Sequence, residues 1–87
     1  MLQITPTAGQ HLVKMLSAAQ APAGVAVRLY IQYDDVAMAI DEMFDGDASY
    51  DFEGRTVLVM DAKMSQLLDR RRLEIEQTEK GPQLAVI

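Results

Sequence analysis

Val25-Ala-Val-Arg-Leu-Tyr-Ile-Gln-Tyr33, then Asp34-Asp35, then Val36-Ala-Met-Ala-Ile-Asp-Glu-Met-Phe44, is the run that decides the fold class. Over its first nine residues Val25, Val27, Leu29, Ile31 and Tyr33 fall on one face, and Ala26, Arg28, Tyr30 and Gln32 on the other. Period two with several β-branched positions predicts a strand. The second segment repeats the pattern, with Val36, Met38, Ile40 and Phe44 on one face. Asp34-Asp35 between them predicts a tight turn and hence a hairpin, since aspartate side chains bond nearby backbone N–H groups.

Working toward the N-terminus, Ala21-Pro22-Ala23-Gly24 ends a helix whose apolar positions Ala8, Leu12, Met15, Leu16 and Ala19 recur every three or four residues. Thr5 is its expected N-cap and Pro6 its first residue. Leu2-Gln3-Ile4 predicts a short first strand. Toward the C-terminus, Asp45-Gly46-Asp47 predicts a turn, Ser49 to Phe52 a short strand, Glu53-Gly54 a second turn, and Arg55 to Met60 a strand. Asp61 caps a short helix from Ala62 to about Asp69. Leu73 to Thr78 alternates again, Lys80-Gly81-Pro82 turns the chain, and Gln83 to Ile87 closes as a last strand. Seven strands and two helices without regular βαβ alternation predict an α+β domain with mostly antiparallel pairing. Residues 1–87 suffice for one domain.

Composition narrows the function classes. Of the 87 residues, 49% are hydrophobic and 24% charged, as in an average globular chain. No apolar run approaches the ~20 residues of a membrane span, and Met1-Leu2-Gln3-Ile4 does not open a signal peptide, so the expected location is cytoplasmic. A net charge of -5 argues against nucleic acid as a partner. The acid is concentrated: Asp34, Asp35, Asp41, Glu42, Asp45, Asp47, Asp51 and Glu53 occupy a stretch that holds no Lys or Arg. There is no cysteine, which removes disulfides, zinc fingers, redox pairs and thiolate nucleophiles.

Four constellations remain. His11 stands alone on the first helix, without a second histidine to form a metal motif, and is expected at a boundary position. The alternating oxygens from Asp45 to Glu53 suggest a calcium loop, but Tyr50 stands where such a loop needs glycine and Thr56 where it needs a bidentate glutamate. A solvated acidic hairpin is the expectation there. Tyr33, Asp34 and Asp35 are candidate ligand-binding residues, since paired carboxylates can hold a hard metal or do acid–base work. Arg70, Arg71 and Arg72 are candidate anion or partner contacts at the end of the second helix, where cations also suit the helix dipole. No base–nucleophile pair is visible, so no catalytic residue, metal ligand or cofactor is assigned, and the chain is expected not to be an enzyme.

Several strings fit one known pattern. Leu2-Gln-Ile-Thr-Pro-Thr-Ala-Gly-Gln-His-Leu12 opens it and Gly24-Val-Ala-Val-Arg-Leu29 enters the second strand. Phe52-Glu-Gly-Arg-Thr-Val-Leu-Val-Met-Asp-Ala-Lys63 continues through Leu67-Leu-Asp69 to Leu73-Glu-Ile-Glu76, and Gly81-Pro-Gln-Leu-Ala-Val86 closes it. In this order they resemble the HesB/IscA-type family, the A-type carriers of iron–sulfur cluster assembly. The resemblance implies a HesB-like fold with a compact mixed-sheet or barrel-like core, an N-terminal helix and one short second helix. It also implies a departure. The family keeps one cysteine in a Gly-rich loop after the second strand and a Cys-x-Cys pair in a C-terminal tail. Here the loop position falls at Gln32-Tyr33-Asp34-Asp35, the sequence stops at Ile87, and Arg70 replaces a glycine. Thiolates hold iron–sulfur clusters, so the expectation is a cysteine-less, non-catalytic relative acting as an adaptor or regulatory binding module. The alternative is a small-molecule or hard-metal binding domain using the Tyr33–Asp35 loop. The expected partner is another protein of unidentified kind, with a homodimer open, and neither nucleic acid nor membrane.

Overall fold

The computed structural model describes Met1–Ile87. It begins with a two-residue strand, β1 (Gln3–Ile4), and helix α1 (Pro6–Ala18). Thr5 caps α1: its Oγ1 accepts from the Ala8 N–H at 3.3 Å and donates to the Leu73 carbonyl at 3.2 Å, so one hydroxyl starts the helix and ties it to a distant strand. Ala8, Leu12 and Leu16 form the buried stripe, as their spacing predicts. The helix ends before the Ala-Pro-Ala-Gly segment does the work. Gln20 adopts a left-handed conformation (φ 53°) and the Ala21 N–H closes on the Leu16 carbonyl at 2.9 Å, a Schellman-type stop.

The remaining elements are β2 (Val25–Gln32), β3 (Asp35–Glu42), β4 (Ala48–Phe52), β5 (Arg55–Met60), α2 (Ala62–Leu67), β6 (Arg72–Thr78) and β7 (Gly81–Val86). They form two open sheets, ordered β1-β6-β7 and β3-β2-β5-β4. The expected mixed α+β architecture is present, with β1–β6 and β2–β5 parallel and the other pairs antiparallel. Of the expected mixed-sheet or barrel-like core, the mixed-sheet form is the one present: the sheets do not join into a closed barrel. Asp61 caps α2 as expected, its Oδ1 accepting from the Met64 N–H at 2.7 Å. Strand β7 starts two residues earlier than the Gly-Pro pair suggests. Pro82 pairs with Gln77 inside it, which an edge strand tolerates because proline's missing N–H need not serve a ladder.

Helix α1 packs against β5 and β6 and so bridges the two sheets over one apolar core. Leu12, Leu16, Val27, Leu29, Val57, Leu58, Met60 and Leu73 are its largest enclosed members. Each such side chain contributes roughly 2–3 kcal/mol by leaving water. Gly9 lets the Phe52 ring of β4 lie directly against the helix, since a Cβ there would collide with it. The alternation of β2 holds in its middle, where Val27 and Leu29 are enclosed. Its far end runs past the core and leaves Ile31 and Tyr33 exposed.

Candidate functional site

The β2–β3 hairpin carries the first set of candidate residues. Its register pairs Gln32 with Asp35, so the loop is Tyr33-Asp34, one residue earlier than the expected Asp34-Asp35. Both loop residues have positive φ, 51° and 65°. That is the primed turn whose twist matches the flanking strands. Aspartate visits this region readily; tyrosine rarely does. The Tyr33 ring is 91% exposed. Asp34 shares the turn, Asp35 lies in β3, and neither carboxylate makes a hydrogen bond or an ion pair. The three are neighbours in sequence rather than a convergent pocket.

Arg70, Arg71 and Arg72 do not form one patch either. Arg70 holds a left-handed conformation (φ 68°) at the position where the resemblance expects glycine. Arg71 lies between helix and strand. Its backbone carbonyl accepts from the Gln3 N–H, and its side chain makes no ion pair. Arg72 belongs to β6 and pairs with Glu74. His11 is half-buried beside Leu12, and no hydrogen bond joins it to a hydroxyl or carboxylate.

The strongest polar cluster lies on the sheet face away from the core. Arg28 of β2 donates from Nε to Asp41 of β3 at 3.0 Å, and from Nη1 and Nη2 to the two Asp47 oxygens at 3.2 and 2.5 Å. Nη2 also reaches the Glu42 carbonyl at 3.0 Å, and the guanidinium carbon sits 4.8 Å from the centre of the Phe44 ring. Asp47 accepts the Phe44 N–H at 2.8 Å, so segment 43–47 folds back over Arg28. The fork hydrogen bond from Arg28 holds the Asp47 carboxyl below the usual carboxylate range, and the bond to Asp47 raises the Arg28 guanidinium above its ordinary value against the cost of burial. The expected solvated acidic hairpin therefore needs correcting at Asp47, whose side chain is only 8% exposed. Composition hides this cluster because Arg28 stands outside the acidic run. Its position among apolar residues of a strand was the available signal.

The opposite, core-facing side of the same hairpin is apolar and partly uncovered. By register Val36 faces Ile31, Met38 faces Leu29 and Ile40 faces Val27. Ile31, Val36 and Ile40 are 47%, 39% and 42% exposed. An open groove of about 390 Å³ between the end of β2 and α2 continues this strip, lined by Tyr30, Ile31, Asp61, Lys63, Met64 and Leu67.

No protein-family model matches the chain, and no curated protein does. Solved structures do, SufA and IscA among them. The crystal structure of Escherichia coli SufA, a protein involved in the biosynthesis of iron–sulfur clusters, superposes with a TM-score of 0.72 at 18% identity, covering 99% of this chain and 83% of SufA. The crystal structure of IscA with the [2Fe-2S] cluster gives 0.65 at 17%, covering 100% of this chain and 84% of IscA. The chain has the fold of SufA and IscA. The HesB-like architecture implied by the resemblance is thus present in a chain without cysteine. At these identities the likeness is one of fold. An iron–sulfur cluster does not fit the residues at the hairpin tip: they offer a phenol and two carboxylates, which are hard oxygen donors, and no thiolate. Nowhere in the chain do three or more His, Cys, Asp or Glu side chains gather into a metal-binding group. No helix is long and apolar enough to cross a membrane.

Proposed function

We propose that this chain is a non-catalytic binding module on the SufA/IscA fold, an adaptor or regulatory domain that acts through protein contact and carries no cluster. One observation supports this above the others. The β2–β3 hairpin, where the resemblance expects a cysteine-bearing Gly-rich loop, is a closed two-residue turn followed by an apolar strand with Val36 and Ile40 open to solvent. Its chemistry suits recognition better than ligation. The hard-metal alternative rests on two carboxylates in consecutive positions, which fall short of the six or so oxygens such an ion takes.

The test is anaerobic reconstitution with ferrous iron and sulfide. The expected outcome is no visible chromophore at stoichiometric level after desalting. A stable cluster at one per chain or per dimer overturns the proposal.

A further inference from the structure

The same hairpin supplies a surface with a defined occupant. Strand β3 is an edge of its sheet, with β2 on one side and no strand on the other. Counting from the closing pair Gln32–Asp35, antiparallel alternation turns the backbone N–H and C=O groups of Val36, Met38 and Ile40 away from β2. None of these groups appears among the hydrogen bonds of loops and caps. Edge strands are usually blunted by a central charge, a proline, a bulge or a covering element. Between Val36 and Ile40, β3 has no charge and no proline, and its register with β2 is unbroken.

The flanks decide what can pair there. Asp34 and Asp35 stand at one end, Asp41 and Glu42 at the other. Of these only Asp41 has a cationic partner, Arg28. A second copy of the chain is disfavoured. The antiparallel register that sets Val36 against Ile40 and Met38 against Met38 also sets Asp34 against Glu42 and Asp35 against Asp41, at both ends. Like charges directly opposite destabilise a ladder.

We infer that the β3 edge binds an extended segment of a partner protein by strand addition, and that this segment has a short alternating apolar centre with Lys or Arg at both ends. The inference rests on the binding-module reading and names its partner class. The added strand pairs with the outward backbone groups of Val36, Met38 and Ile40 and covers the exposed Val36 and Ile40 side chains. Its cations meet the two acidic flanks. Main-chain pairing of this kind gives affinity, and the alternate side chains give selectivity.

The probe is a synthetic peptide, Lys-Lys-Val-Thr-Val-Thr-Ile-Lys-Lys, titrated into the full chain with amide exchange read residue by residue. Binding should protect the amides of Val36, Met38 and Ile40 and leave Ala37 and Ala39, already in the β2 ladder, unchanged. A peptide N-methylated on alternate backbone amides should not bind. The exposed double variant Asp35→Lys/Glu42→Lys should keep its fold, weaken the lysine-flanked peptide about tenfold, and bind a glutamate-flanked version better. Met38→Pro, which removes one outward N–H, should abolish binding. The charge variant carries the test if that one fails to fold. Undiminished binding of the N-methylated peptide, or protection elsewhere, overturns strand addition. Protection of Val36, Met38 and Ile40 that grows with protein concentration alone overturns the choice of occupant. If the peptide fails while reconstitution yields no cluster, only this inference falls. A stoichiometric cluster overturns the underlying proposal whatever the peptide does.

Discussion

The two hairpins of the larger sheet share a plan and differ in finish. Both close on two-residue turns with positive φ, Tyr33-Asp34 in β2–β3 and Glu53-Gly54 in β4–β5, and each contributes an edge strand. The β4–β5 hairpin is finished in the ordinary way. Its second turn position is glycine, its register breaks between Tyr50 and Asp51, Tyr50 is buried, and Phe52 lies against α1 at Gly9. The bulge and the helix protect that edge. In the β2–β3 hairpin neither turn residue is glycine, the edge is regular, and apolar side chains stay open. Local rules set aside in one region and obeyed in its counterpart mark the region where function is to be sought.

Arg28 links the two hairpins by its side chain, beside the β2–β5 ladder, so breaking it gives the largest expected effect among their polar contacts. It joins β2 to β3 through Asp41 and to the start of β4 through Asp47. Asp47→Ala removes a nearly enclosed carboxylate that accepts three hydrogen bonds, and leaves the guanidinium without its main acceptor. The expected loss is about 2 kcal/mol, read from urea unfolding at neutral pH. Asp47 also predicts a pH dependence. Its carboxyl titrates below the usual range in the folded chain because Arg28 bonds the ionised form. Its contribution is therefore complete above the unfolded carboxylate value, near about 4, and disappears as pH falls through the lower folded value. The stability gap between the native chain and Asp47→Ala should narrow in that acid window. A gap unchanged down to pH ~2 rules out this pair as its source.

The turn comes next in size. Replacing Tyr33-Asp34 by Asn-Gly (Tyr33→Asn with Asp34→Gly) gives the residues that a primed turn prefers. Stability should rise by about 1 kcal/mol, since tyrosine no longer occupies the left-handed region. The melting temperature of the native chain should also be unmoved by excess ferrous, manganous or calcium ion. A ligand that favours the folded state would raise it, and such a rise, lost in the Asn-Gly variant, would restore the metal alternative at Tyr33–Asp35.

Much of the fold was legible because its signals are local. Thr5-Pro6 and Asp61 cap helices through bonds three residues long, and the alternation of Val25 to Gln32 needs no knowledge of a partner strand. What stayed hidden depends on contacts distant in sequence. The parallel pairs β1–β6 and β2–β5 leave no mark on either segment, so two open sheets and a closed barrel read alike. Tyr33 looks like strand because an aromatic residue continues the alternation, and only the register shows it in the turn. The Arg28–Asp47 pair spans nineteen positions, and nothing in an acidic run tells which carboxylate is engaged. The Tyr33 to Asp35 region stood out by its paired carboxylates, and again through a resemblance and a missing cysteine. The open edge beside it needed the strand order.

The smallest expected effect separates core from surface within one sheet face. Ile40 and Val27 are register partners, yet Val27 is fully enclosed and Ile40 is 42% exposed. Val36 stands likewise opposite Ile31, itself exposed. Thr keeps the β-branch that suits a strand and removes apolar surface. Val36→Thr with Ile40→Thr should therefore change stability by no more than about 0.5–1 kcal/mol, whereas Leu29→Ala on the same face should cost roughly 2–5 kcal/mol. Urea midpoints of the variants make the comparison. A double variant as costly as Leu29→Ala would mean that Val36 and Ile40 serve the core, and the β3 edge would lose the apolar surface left over for a partner. Near-neutral stability would mean that folding does not require these side chains, and binding of the lysine-flanked peptide then becomes the measurement that tests what does.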